Sequence, residues 1–179
     1  GTDFDVQNAL WIPRPLDIVG PDVSKWDLIR HAVRSWEERK QQTAGLIVDV
    51  DVTRPLRKAE TVARTLNALE ASPAVMAVAL ADKNPAFDIV VDTSWGLKPY
   101  GGSRYFAARQ EVDPAYIHAG AYGFTRDGLF SRDHIYDGPL GMVLVDRIQS
   151  YDIDDELDWK IVQALYAVTS AEATLAEAW

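Results

Sequence analysis

Between Gly45 and Val52 the chain reads Gly-Leu-Ile-Val-Asp-Val-Asp-Val, an almost unbroken apolar run carried by Leu46, Ile47, Val48 and Val50. A run of this kind fits a strand covered on both faces, and such strands belong to sheets with helices packed above and below. The neighbouring sequence agrees. An amphipathic helix is expected over about Ser24 to Gln42, where Trp26, Ile29, Val33 and Trp36 mark one face, and another over about Ala59 to Ala71, packing through Val62, Leu66 and Leu69. Ala74 to Leu80 reads as a second buried strand. Shorter extended segments are expected at Ile89–Val91, Ile117–Phe124, Met142–Val145 and Gln149–Ile153, and a closing helix at about Asp155–Val168 with Leu157, Ile161, Leu165 and Val168 inward. Strands alternating with helices give an α/β layered sheet. At 179 residues and 47% hydrophobic content, residues 1–179 can bury one core and are read as a single domain.

Two acidic places break the apolar pattern. Asp49 and Asp51 sit on the first strand, and acids on a buried strand are costly unless paired or used. Ligands of open α/β sheets bind beyond the carboxyl ends of strands, which makes Asp51, Thr53 and Arg57 candidates. Taken alone, Arg57 with Lys58 reads as a solvated loop pair. The second place is Asp152-Ile153-Asp154-Asp155-Glu156-Leu157-Asp158, five carboxylates in seven positions. Asp155, Glu156 and Asp158 are accounted for by capping and dipole complementation of the following helix. Asp152 and Asp154 precede it. On a strand they would share a face, roughly 7 Å apart at Cα, where oxygen ligands suit Mg²⁺; that spacing leaves a metal or ligand role open for both.

Net charge narrows the partners. At −9, with no basic stripe, the chain offers no nucleic-acid surface, so anionic ligands must meet individually placed arginines. No apolar run reaches membrane-spanning length and the N-terminus has no signal-peptide pattern. Cysteine is absent, which removes disulfides, thiolate nucleophiles and zinc–thiolate sites and makes the cytoplasm the default compartment. His118 and His134 have no Ser or Cys companion at a recognisable spacing and read as structural or solvated. The Gly-, Pro-, Tyr- and Arg-rich stretch from Trp95 to Pro114 lacks periodicity, as a flap or dimer arm would.

Taken together, Arg14-Pro15 to Asp27, Thr53-Arg54-Pro55-Leu56-Arg57, Asn84-Pro85, Arg109-Gln110 with Tyr116, Gly120-Ala121 and the Asp152–Asp158 run occur in the order seen in acylneuraminate cytidylyltransferases. Over nearly its whole length the chain resembles that family, the CMP-sialic acid synthetases and their relatives on other nonulosonic acids. The resemblance implies a Rossmann-like nucleotidyltransferase sheet with flanking helices and a dimerisation arm at 95–122. It also implies CTP and a nonulosonic acid as substrates, with a CMP-sugar and pyrophosphate as products. Asp152 and Asp154 match the family's Mg²⁺-binding Asp-x-Asp pair, and Arg109 matches the arginine that engages the sugar acid. Arg14 and Ser24 match nucleotide contacts, although Ser24 equally fits a helix N-cap. The resemblance also implies that Asp51 and Thr53 lie on the nucleotide side of the same site.

The departures are as informative. The family's opening strand and glycine-rich basic loop, of the type Arg-x-Gly-Ser-Lys, has no counterpart, so the resemblance implies an N-terminally incomplete domain. Where relatives carry Gln-Pro-Thr-Ser-Pro-Leu-Arg, this chain has Asp51-Val52-Thr53-Arg54-Pro55-Leu56-Arg57. Asn-Gly-Ala-Ile-Tyr is replaced by Ala119-Gly120-Ala121-Tyr122-Gly123. Two readings follow: a Mg²⁺-dependent cytidylyltransferase for a sialic-acid-like sugar, or a non-catalytic sugar-nucleotide-binding or assembly module on the same scaffold.

Overall fold

Strands β1 (Leu46–Val50) and β2 (Ala74–Leu80) run in the same direction on either side of an antiparallel β5 (Tyr116–Thr125). Strand β6 (Gly141–Leu144) adds parallel to β2, giving the order β1-β5-β2-β6. The registers pair Val50 with Ala121, Leu80 with Tyr116 and Val78 with Leu144. The carboxyl ends of β1, β2 and β6 therefore meet the start of β5 along one edge. The computed structural model describes residues 9–20, 23–101 and 109–177, with only the backbone at 17, 109 and 171–177.

Helices cover both faces, as the resemblance implied. Alternation along the strands sends Val75, Ala77, Ala79, Ala119 and Ala121 to one side, where they pack with Leu69, Val143 and Val145 under α2 (Ala59–Ala68). Ala74 and Phe124 go to the other side with Trp26, Ile29 and Val33 of α1 (Lys25–Lys40) and Leu129 of α3 (Arg126–Phe130). Trp26 meets Phe124 edge-on at 5.1 Å between ring centroids, a preferred aromatic geometry, and its indole N–H donates to Arg132 O at 3.0 Å.

Several expectations need correcting. The Gly45–Val52 run forms an edge strand: among the described residues β1 pairs only with β5, so although Val48 and Ile47 pack against the cores on its two faces, the strand is only half-buried and Leu46 is 54% exposed. The fully covered strand is β2, flanked by β5 and β6. Gln149–Ile153 is not a strand. Residues Arg147–Ser150 form a 3₁₀ turn because Asp146 accepts the Ile148 N–H at 3.0 Å. Gln149 is then drawn inward, its Oε1 accepting from Lys58 N at 3.0 Å and Thr61 Oγ1 at 2.6 Å. Asp152 and Asp154 consequently follow this turn in a loop, so the argument from strand spacing does not apply to them. The closing helix α4 (Glu156–Glu177) buries Val162, while Leu157 and Val168, expected inward, are 64% and 57% exposed.

The 95–122 stretch divides. Gly96–Pro99 (β4) pairs with Val90–Thr93 (β3) in an exposed hairpin, residues 102–108 lie outside the described residues, and Tyr116 onward belongs to β5. Of the described residues, none lies in a helix long and apolar enough to cross a membrane.

Candidate functional site

At the carboxyl edge of the sheet, strand β5 bulges. Pairing with β2 jumps from Met76↔Tyr122 to Val78↔His118, so the segment Ala119–Ala121 carries extra residues, with Gly120 at φ +68°. A β-carbon at Gly120 would run into Arg54 Cδ; glycine is required both by the backbone angle and by that close approach. The bulge turns the Gly120 carbonyl to accept from Asp51 N at 2.9 Å and from Arg57 Nη1 at 2.9 Å. Arg57 also donates to Asp51 O at 3.0 Å. It is a tie between loop and bulge, not the solvated charge expected from sequence.

Arg54 is the centre of the edge. Its side chain, 3% exposed for the residue, donates to His118 O at 2.9 Å, to Ser150 O, and to Asp152 Oδ2 at 2.7 Å. Its Nε lies 3.6 Å from Asp51 Oδ2. A buried guanidinium needs this many acceptors, because an unpaired charge away from water is expensive. One side chain thus joins the loop after β1, the bulge of β5 and the loop before α4. Sequence reading passed over Arg54 because nothing local separates it from Arg57; its place before Pro55 is the one signal of a fixed loop.

The acids are positioned from both sides. Asp51 and Asp49 share Lys25, the first residue of α1, whose ammonium pairs with Asp51 and lies 2.8 Å from Asp49 Oδ2. The same ammonium sits 4.0 Å from the Tyr122 ring centroid. Lys25 was not a sequence candidate. Ser24 is the N-cap of α1, its hydroxyl accepting the Trp26 N–H at 3.1 Å, in keeping with the capping alternative. Arg14 is exposed and lines a groove of about 820 Å³ between α1 and β1 together with Lys25, Asp49 and Asp51. Thr53 is exposed; its carbonyl accepts from Ile153 N at 3.0 Å, tying the two loops together. Arg109 stands in a 3₁₀ turn, Arg109–Glu111, and its side chain lies outside the described residues.

Asp152 and Asp154 line one cleft of about 460 Å³ with Arg54, His118, Arg147 and Asp158. The structure therefore brings Asp152 close to Asp51 through Arg54, leaves Asp154 nearby and exposed, and does not bring Arg14 or Ser24 into this cleft. Asp155 and Asp158 form a reciprocal cap: Asp155 Oδ1 accepts from Leu157 N at 2.8 Å and Asp158 N at 3.0 Å, and Asp158 Oδ2 accepts from Asp155 N at 3.2 Å. With Asp158 held in the cap, the remaining carboxylates of the cleft are Asp82, on the loop after β2, and the pair Asp152 and Asp154. Among the described residues no group of three or more His, Asp or Glu could enclose a metal. Two carboxylates nevertheless fit Mg²⁺, which takes one or two from protein and fills its remaining positions with phosphate oxygens and water.

A second cavity of about 660 Å³ adjoins His118, lined by Met76, Ile89, Tyr116, Tyr136 and Met142. His118 lines both cavities. Its Nδ1 is 2.7 Å from the Tyr122 hydroxyl, which lies 3.5 Å from Asp51 Oδ2. Burial lowers the His118 pKa, with Arg54 adding to the effect. Burial and then Asp51 push the Tyr122 phenol well up, so it keeps its proton.

No protein-family model matches the chain. Over 168 residues, 92% of this chain and 71% of the relative, it is 25% identical to Post-translational flagellin modification protein B of Campylobacter coli. Over 90 residues, 49% of this chain and 37% of the relative, it is 33% identical to CMP-N,N'-diacetyllegionaminic acid synthase of Campylobacter jejuni. Among solved structures, 4-diphosphocytidyl-2C-methyl-D-erythritol synthase of Anaerococcus prevotii is similar with a TM-score of 0.47 at 15% identity, covering 74% of this chain and 64% of that one. The chain is thus similar in sequence to a flagellin modification protein over most of its length and to a CMP-sugar synthase over about half of it, both from Campylobacter.

Proposed function

We propose that the protein transfers CMP from CTP to a hydroxyl of a nonulosonic acid, releasing pyrophosphate. What supports this most is one observation: Asp152 and Asp154 open onto the same cleft as two arginines, Arg54 and Arg147, at the carboxyl edge of the sheet. This is where ligands of α/β sheets bind. The relative named as a CMP-N,N'-diacetyllegionaminic acid synthase makes a product of this class.

In this reading Asp152 and Asp154 would hold Mg²⁺, which would supply charge neutralisation to the phosphate oxygens. Arg54, buried and fixed, keeps Asp152 in place and sets the local charge. Arg109 engages the substrate carboxylate, for which a guanidinium fork is suited. Asp51, Thr53, Arg14 and Ser24 form the nucleotide side. Because the cleft is lined by opposite charges in fixed positions, little reorganisation is needed when phosphate charge develops. The working unit is a homodimer joined through the arm, in the cytoplasm, with no nucleic-acid or membrane partner.

The test is pyrophosphate release from CTP and Mg²⁺ with a panel of nonulosonic acids that includes N,N'-diacetyllegionaminic acid. Turnover with at least one acid is expected, dropping about 10²-fold or more in an Asp152→Asn, Asp154→Asn variant, the scale of losing a principal charge-stabilising group. Equal release by wild type and variant would contradict the reading.

A further inference from the structure

The hydrogen-bonded row Asp51, Tyr122, His118 is unexplained by the roles assigned so far. We propose that it is a relay that presents His118 Nε2 as the base accepting the proton of the attacking hydroxyl, an inference that rests on the nucleotidyl-transfer reading above.

The first argument is placement. His118 belongs to both cavities at the edge of the sheet, the larger lined by Met76, Ile89, Tyr116 and Tyr136, the smaller by Arg54, Arg147, Asp152 and Asp154. The larger suits the carbon skeleton of a sugar acid and the smaller a phosphate. A hydroxyl joined to phosphorus must lie between them, which is where the imidazole stands.

The second argument is hydrogen-bond accounting. Tyr122 has one proton and two neighbours, His118 Nδ1 at 2.7 Å and Asp51 Oδ2 at 3.5 Å. A carboxylate only accepts. Both contacts are satisfied at once when Nδ1–H donates to the phenol oxygen and the phenol donates to Asp51. That tautomer leaves Nε2 with a lone pair, and no described protein group hydrogen-bonds Nε2. Lys25 and Arg54 hold Asp51 in place from two sides. The groups facing the ring are Tyr122 of β5, Asp51 and Arg54 after β1, Asp152 before α4 and Lys25 of α1. Burial, then Arg54, lower the pKa of the imidazole, which favours its neutral form.

The third argument is the bulge. His118 and Tyr122 are four positions apart, yet their partners on β2, Val78 and Met76, are only two apart. The rings thereby lie side by side, their centroids 5.9 Å apart and their planes tilted by 42°. Gly120, in the left-handed region, makes this possible.

In the step, the hydroxyl proton passes to Nε2 as the oxygen lone pair attacks the α-phosphorus of CTP. The bond from that phosphorus to the bridging oxygen breaks, and pyrophosphate leaves with the electron pair. The imidazolium then returns its proton to solvent. His118 is the catalytic group; Tyr122 and Asp51 position it.

Two measurements on the full chain decide the matter. Nitrogen-15 NMR of the imidazoles should show His118 with Nδ1 protonated and Nε2 bare, shifting towards a tautomer mixture in Tyr122→Phe. This readout needs no turnover, and a merely structural tyrosine would not move it. With CTP, Mg²⁺ and N,N'-diacetyllegionaminic acid, His118→Gln should lose about 10²- to 10⁴-fold in kcat with a much smaller change in KM for CTP. An Nε2-protonated tautomer in wild type overturns the proposal, as does a His118→Gln kcat within about threefold of wild type, far short of general-base magnitudes. Absence of wild-type turnover with the whole panel counts against the nucleotidyl-transfer reading, and the tautomer then supports or overturns the relay by itself.

Discussion

Arg54 shows how much a single side chain can hold. It is buried, and it bonds two carbonyls, His118 O and Ser150 O, and the Asp152 carboxylate. Replacing it with Leu leaves those acceptors without a partner in a poorly solvated place. Unfolding by urea should show a loss of about 3 kcal/mol, the usual cost of breaking a buried pair from one side. Arg54→Lys should recover only part of this, since an ammonium cannot span the three acceptors in a planar fork. A loss below about 0.5 kcal/mol, the range of ordinary surface changes, would show that Arg54 is not the fastening described. The sequence marked Thr53 and Arg57 in the same loop and passed over Arg54. Residue type and spacing cannot tell which of two loop arginines turns inward, because that depends on a bulge in a strand more than sixty positions away.

At the scale of elements, caps were legible and pairings were not. The acidic run before α4 announced a helix start, and the reciprocal bonds of Asp155 and Asp158 bear that out. They are local interactions, complete within four residues. Contacts between elements behave differently. Glu37, in the last turn of α1, accepts from Ala44 N at 3.0 Å and from Arg126 Nε at 2.7 Å, clamping the end of α1 to the start of α3. The Arg126 bond, with help from Ala44, lowers the Glu37 pKa below its ordinary 4.5. A carboxyl whose pKa is depressed on folding adds stability that is present above the unfolded value and is lost as pH falls through the folded one. Thermal melts from about pH 6 to about pH 3 should therefore fall less steeply in Glu37→Gln than in wild type. Parallel curves would mean the clamp contributes nothing to acid sensitivity.

Over the whole molecule, order is graded from the middle of the sheet outward. Strand β5 lies between β1 and β2 and carries the fully buried Phe124, Ala119 and Ala121. Among the described residues the β3–β4 strands pair only with each other, and Trp95, Leu97 and Tyr100 on the hairpin are 87%, 71% and 67% exposed. Amide exchange should accordingly be slowest in β5 and β2, near the global unfolding limit, and fastest among ordered strands in β3–β4, which can open without disturbing the core. Slow exchange in the hairpin would mean that a partner covers it in solution. The layered α/β architecture was readable in advance, because the period of apolar residues is set by which face of each element must leave water, and that period is written in the chain itself. The positions of most helices and strands followed from it. Which strands would lie inside the sheet did not: Gly45–Val52 has the stronger apolar run, yet among the described residues β1 lies at the edge and β5 and β2 inside. The site divides along the same line. The sequence by itself supplied the acids, the arginines and their order. Only the folded chain selected Arg54 from its neighbours, bent β5 at Gly120, and set His118 against Tyr122, since hydrogen bonds between distant segments depend on register and burial that no local pattern encodes.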